Sequence, residues 1–117
     1  MMTPDERNRM DCHRWQVLSA RVLVYLETAA AKADLPVLHW SVSNAKLIGR
    51  PVPYRSADEM SADWKAWVNH LDAETLDDIT LTTGTKIMTA TTTRSPGRGH
   101  IDVEVVLLAD IPTEDED

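Results

Sequence analysis

The 117-residue sequence has no phenylalanine, a single cysteine, and no apolar run near the roughly 20 residues a bilayer-spanning helix needs. Without phenylalanine, bulky aromatic packing falls to four tryptophans and two tyrosines. The lone Cys12 excludes an intrachain disulfide and suits a reducing compartment. The first residues are polar and charged, with no apolar stretch of the kind found in a secretory leader. A cytoplasmic location and no association with membranes are therefore expected.

Signatures of chemistry are missing too. No C-x-x-C, H-E-x-x-H or D-x-D-x-D-G pattern supplies a metal-ligand set, and no G-x-S-x-G elbow presents a nucleophile. Cys12 and His13 are adjacent and would point about 100° apart on a helix, a poor geometry for one metal. His70, Asp72 and Glu74 form a loose cluster at a helix exit, where a histidine already interacts favourably with the helix dipole. His39 reads as an exposed strand residue. Gly84, and the pair Gly97 and Gly99, lie between strands rather than between a strand and a helix, so they suit turns or bulges rather than a phosphate cradle. No cofactor, no metal and no enzymatic activity are expected.

What is present is an ordinary globular composition, 43% hydrophobic and 26% charged, enough for one core but not two. The formal net charge is −7, but Glu114, Asp115, Glu116 and Asp117 supply four of those charges and leave about −3 for the rest. Residues 1–111 are read as a single domain, with 1–14 projecting or frayed, and 112–117 as a disordered acidic tail. The excess of arginine over lysine, with abundant alanine, threonine and aspartate, fits a GC-rich bacterial or phage genome.

Two helices announce themselves by their starts. Ser56 and Glu59 form an S-x-x-E capping box, followed by Met60, Trp64, Trp67, Val68 and Leu71 on one face and Asp58, Asp63, Lys65 and Asn69 opposite. Thr3, Pro4 and Glu6 form a second box with proline at the first helical position. No breaker follows until Leu35-Pro36, so a helix about 45 Å long is expected over residues 4–33. Its main stripe is Trp15, Leu18, Val22, Tyr25, Leu26, Ala29 and Ala33. A second, narrower stripe of Met10, Val17, Ala20, Val24 and Ala31 runs down another side, bordered by Arg14, Arg21 and Thr28 and by Glu27.

Strands are expected at 37–43, where Leu38, Trp40 and Val42 alternate with polar residues, and at 46–49, 79–83, 86–94 and 100–109. The segment 50–55 is too rich in proline for regular structure, and 72–78 is an acidic link. In the last strand Ile101, Val103, Val105 and Leu107 mark one face, but 105–109 is apolar on both and so should be covered on both sides. Consecutive strands joined by short loops pair antiparallel. The fold class is therefore α+β: one antiparallel sheet of four to five strands, with a long N-terminal helix and a shorter amphipathic second helix packed on it.

A helix lying on one sheet needs one apolar stripe, and this one has two. The functional expectation is a small non-enzymatic interaction or regulatory module, homodimeric through Val17, Ala20, Val24 and Ala31 of the first helix and binding a further protein partner. One of the four tryptophans is expected at an interface. The alternative is a nucleic-acid-associated accessory protein. Residues 44–55 and 85–101 carry cations without acids, and Arg50, Tyr54, Arg55, Arg94 and Arg98 are the candidate contacts if those loops converge.

Overall fold

The computed structural model describes residues 2–43, 45–53, 55–99 and 102–112. In chain order the elements are α1 (Pro4–Lys32), β1 (Leu38–Ser43), β2 (Lys46–Pro51), α2 (Ala57–Leu71), β3 (Glu74–Thr75), β4 (Ile79–Thr80), β5 (Lys86–Arg94) and β6 (Val103–Ile111).

Both capping boxes form. The Glu6 backbone N–H donates to Thr3 Oγ1 at 3.1 Å and the Thr3 N–H to Glu6 Oε1 at 3.3 Å. Ser56 and Glu59 repeat the exchange at 3.1 Å each way. Each box satisfies two of the donors that a helix start leaves without partners. Both helices also end alike. Leu35 N–H donates to Ala30 O across Asp34 (φ 57°), and Ala73 N–H donates to Val68 O across Asp72 (φ 52°), closing each last turn with an aspartate in the left-handed region. Glycine takes that conformation without strain, and a carboxylate at a helix C-terminus opposes the dipole. Asp72→Gly should therefore stabilise the domain by about 0.5–1 kcal/mol in a urea titration. Unchanged or lower stability would show that the aspartate has a compensating role.

The sheet has the order β1-β2-β6-β5-β3, with β4 also pairing β5. It is mixed rather than antiparallel, and has six strands rather than four or five: β2 runs parallel to β6, Leu47 opposite Val105 and Gly49 opposite Leu107. The expectation of short-loop antiparallel pairing overlooked α2 as a crossover. After it, the β5–β6 hairpin enters with β6 innermost, between β2 and β5. The strand apolar on both faces thereby takes the central place, and threonine-rich β5 lies outside it.

Smaller corrections have local causes. β2 continues through Arg50 to Pro51, which pairs with Leu38 and ends the strand, where a missing N–H is tolerated. Only Ile79–Thr80 of the expected 79–83 strand forms, and Glu74–Thr75, in the acidic link, adds a short strand beside β5. The buried face of α1 is Leu18, Ser19, Val22, Leu26 and Ala30, while Tyr25, Ala29 and Ala33 are exposed. The helix is thus turned so that small Ser19 and Ala30 meet the sheet side. Asp63, expected on the wet back of α2, is buried.

Both helices lie on one face of the sheet. That face presents Leu38 and Trp40 of β1, Leu47 of β2, Met88 and Ala90 of β5, and Val103, Val105, Leu107 and Ala109 of β6. Val22, Leu26 and Ala30 of α1 and Trp64, Trp67, Val68 and Leu71 of α2 close over them in one core. Three indoles find acceptors: Trp64 Nε1 donates to Leu107 O at 2.9 Å, Trp67 Nε1 to Pro36 O at 2.7 Å, and Trp40 Nε1 to Glu27 Oε1 at 3.1 Å. Trp40 also meets Trp67 edge to face, centroids 5.5 Å apart, so one side chain of β1 touches both helices.

Candidate interaction surface

The first buried residue of α1 is Leu18. Fourteen helical residues precede it, so about 20 Å of a helix some 43 Å long extends past the core, within a molecule measuring 63 × 35 × 24 Å. No helix half this poorly supported is stable by its own propensity alone. Its continuity with the packed half carries it outward.

On the back of α1, directly opposite the core, the second stripe faces water. Met10 is 57% exposed, Val17 59% and Val24 64%, and Ala20 and Ala31 are exposed with them. Among the described residues neither α2 nor the residues before α1 cover this side. Met10, Val17, Val24 and Ala31 recur every seven residues, with Ala20 between Val17 and Val24, so the structure brings the four expected interface residues onto one outward line.

Arg7, Arg14 and Arg21, also seven apart, run along one flank of that line, and Arg9 stands on the other. All four are exposed. Among the described residues, the ion pairs are Lys46–Glu104, Arg55–Glu59, Arg55–Asp63 and Lys86–Asp78, so none of the four arginines meets a carboxylate. Of the acids on this helix, Glu6 is held by Thr3 in the capping box and Glu27 by the Trp40 indole, while Asp5 and Asp11 stand one turn from Arg9 and Arg7 without forming an ion pair.

The candidate nucleic-acid residues are not brought together. Arg50 lies at one end of β2 on the helix-free face of the sheet. Arg94 pairs with Val103 at the opposite end and on the helix side, about 16 Å away along the strands. Arg98 is exposed in the turn after β5. Tyr54 lies outside the described residues, as do His100, Ile101 and residues 113–117.

Arg55 and Arg94 already have structural work. Arg55 Nε and Nη2 donate to the two oxygens of Asp63 at 3.0 and 3.1 Å, and Nη1 reaches Glu59 at 3.3 Å, clamping the β2–α2 link onto α2. Asp63 raises the Arg55 pKa further above its ordinary value. The Ser56 backbone N–H, then its hydroxyl, then the Arg55 charge hold the Glu59 carboxyl below its usual range. That contribution is complete above the ordinary glutamate pKa and fades as pH falls through the lowered one. The Asp63 side chain is 8% exposed and that of Arg55 42%. Arg55→Ala should therefore cost clearly more stability than Asp63→Ala, because the first strands a buried carboxylate whereas after the second the guanidinium can turn to water. Equal losses in urea titrations would show that water reaches Asp63. Arg94 Nη1 donates to Thr92 Oγ1 and Thr93 O, and Nη2 to Leu71 O, each at 2.7 Å, tying the end of β5 to the end of α2.

Two further surfaces went unread in the sequence or were read only in part. The helix-free sheet face carries Ile48, Val106, Leu108 and Ile87 in adjacent strands, all half-buried, with Thr89, Thr91 and Thr93 beside them. Expectation had a second layer over the doubly apolar end of β6. Among the described residues that layer is absent, and Val106 and Leu108 are shielded only by neighbouring strands. A groove of about 540 Å³ runs between α1, the end of α2 and the β5–β6 turn, walled by Val22, Tyr25, Leu26, Leu71 and Pro96, with Arg94 at its side. Its volume suits a small ligand, but Arg94 is spent on Leu71, Thr92 and Thr93, and the Ser95 hydroxyl donates to Gly97 O. Of the outer face of α1, the stripe and its borders at Arg14, Arg21, Thr28 and Glu27 were legible beforehand, because helical periodicity is local, whereas Arg7 and Arg9 were not read as part of it.

Comparison with protein-family models, curated proteins and solved structures gives no match. No helix of the described residues is long and apolar enough to cross a membrane.

Proposed function

We propose that this domain is a non-enzymatic interaction module whose docking element is the outer face of α1. The observation that carries the reading is the exposure of Met10, Val17 and Val24 on a helix whose opposite face is spent on the core only from Leu18 onward. Large apolar side chains scattered singly over a surface need no explanation, but three in line on a projecting rod form a seam that another helix can fill. Small Ala20 and Ala31 between and beyond them permit close approach. The occupant is either a second copy of this chain or a different protein.

A photo-crosslinking side chain placed at position 24, with position 65 on the solvent face of α2 as control, tests the reading in the native host. A discrete adduct is expected from position 24 and not from position 65. Indistinguishable patterns from the two positions would remove α1 as the docking element. Val24→Asp should abolish the adduct in an otherwise folded chain, since the new carboxylate stands in water.

A further inference from the structure

Resting on that docking face, we infer that its occupant is an amphipathic helix of acidic character, not a second copy of this chain. Arg7, Arg9, Arg14 and Arg21 border the seam and, among the described residues, have no carboxylate partner, in a chain whose net charge is −7. Residues 5–21 hold these four arginines against three acids, Asp5, Glu6 and Asp11. Asp5 and Asp11 lie further round the helix than Arg7, Arg14 and Arg21, and Glu6 is bound to Thr3, so the charge bordering the seam is positive in a protein that is acidic overall. Positions flanking a heptad seam select partners by charge.

Self-pairing does not satisfy those arginines. In an antiparallel pair centred between Ala20 and Val24, the two Arg21 side chains stand beside one another. In a parallel pair Arg9 faces Arg14 of the second copy. Either arrangement sets like charges together, which is destabilising. The acid that could have relieved this is Glu27, and it is turned toward the Trp40 indole at 3.1 Å. Residues 113–117 of the chain are acidic but have no apolar side chain to fill the seam. Nucleic acid would meet the arginines but leave Val17 and Val24 in water. A helix with apolar residues at the seam and Asp or Glu at the flanks answers both features at once.

The test uses two synthetic four-heptad peptides with identical apolar seams, one with glutamate and one with lysine at the flanking positions, titrated against the full chain by fluorescence anisotropy. The glutamate peptide should bind at least tenfold more tightly than the lysine peptide, and less tightly as salt rises. The double change Arg14→Glu with Arg21→Glu should reverse that preference. Val17→Asp with Val24→Asp should abolish binding of either peptide while circular dichroism stays unchanged. Equal binding of the two peptides, or no response to the arginine reversal, would overturn the acidic partner but leave the docking face. A wild-type dimer in light scattering at tens of micromolar, dissolved by Val24→Asp, would do the same in favour of a second copy. Oligonucleotide binding lost on arginine reversal but untouched by the valine changes would put nucleic acid in its place. If the valine changes alter neither peptide's binding, or neither peptide binds, the docking face itself falls.

Discussion

Trp67→Ala is expected to cost about 4–5 kcal/mol, enough to leave much of the chain unfolded under native conditions. The side chain is fully buried at the meeting point of α2, the α1–β1 link and β1. Three losses coincide. The cavity left by an indole in a close-packed core cannot collapse, because Leu47 and Leu107 are themselves fully buried and held by a central pair of strands. The Pro36 carbonyl, which accepts the indole N–H at 2.7 Å, loses its partner. Trp40 loses the ring it meets edge to face. Trp67→Phe keeps most of the volume but not the donor, and should cost roughly half as much. Urea unfolding followed by far-ultraviolet circular dichroism measures both. A cost below about 1.5 kcal/mol for the alanine variant would mean that this junction does not hold the helices to the sheet.

Gly49→Ala should destabilise the domain by about 2–3 kcal/mol, against the intrinsic preference of a strand, which favours alanine over glycine by about 0.5–1 kcal/mol. A Cβ at this position would stand 2.8 Å from Trp40 Cζ3, 2.9 Å from Cη2 and 3.1 Å from Leu38 Cδ1. The indole of β1 occupies the space beside the glycine of β2 that pairs with it. It cannot swing aside cheaply, since its N–H is held by Glu27 and its ring packs on Trp67. The clash should therefore appear as coupling: in a Trp40→Ala background, Gly49→Ala should become neutral or slightly stabilising. If the cost of the glycine change were the same with and without Trp40, the indole would not be its cause.

These two sites show where sequence reading stops. Trp67 was legible as a core residue of an amphipathic helix, because periodicity on α2 needs only residues 60–71. Its acceptor at Pro36 was not, since the bond joins positions 31 residues apart in sequence. Gly49 gave no signal at all. Its role depends on which residue β1 sets opposite, and register is decided across the pair. Asp63 was misplaced for a similar reason. A carboxylate on the polar side of a helical wheel reads as solvated until Arg55 folds back from a proline-bearing link to cover it.

The sequence by itself determined what depends on neighbours three or four residues away. The capping boxes at Thr3 and Ser56, both helices within a residue or two, the extent of β5 and the presence of a second apolar stripe on α1 all follow from local hydrogen bonding and helical or strand periodicity. Only the tertiary structure decided the order of the sheet, because the parallel pairing of β2 with β6 joins segments that α2 and β5 separate in the chain. It also decided which face of α1 was spent on the core and which cations found acids. Burial and ion pairing form between segments far apart in the chain, and no periodicity within a single segment encodes them.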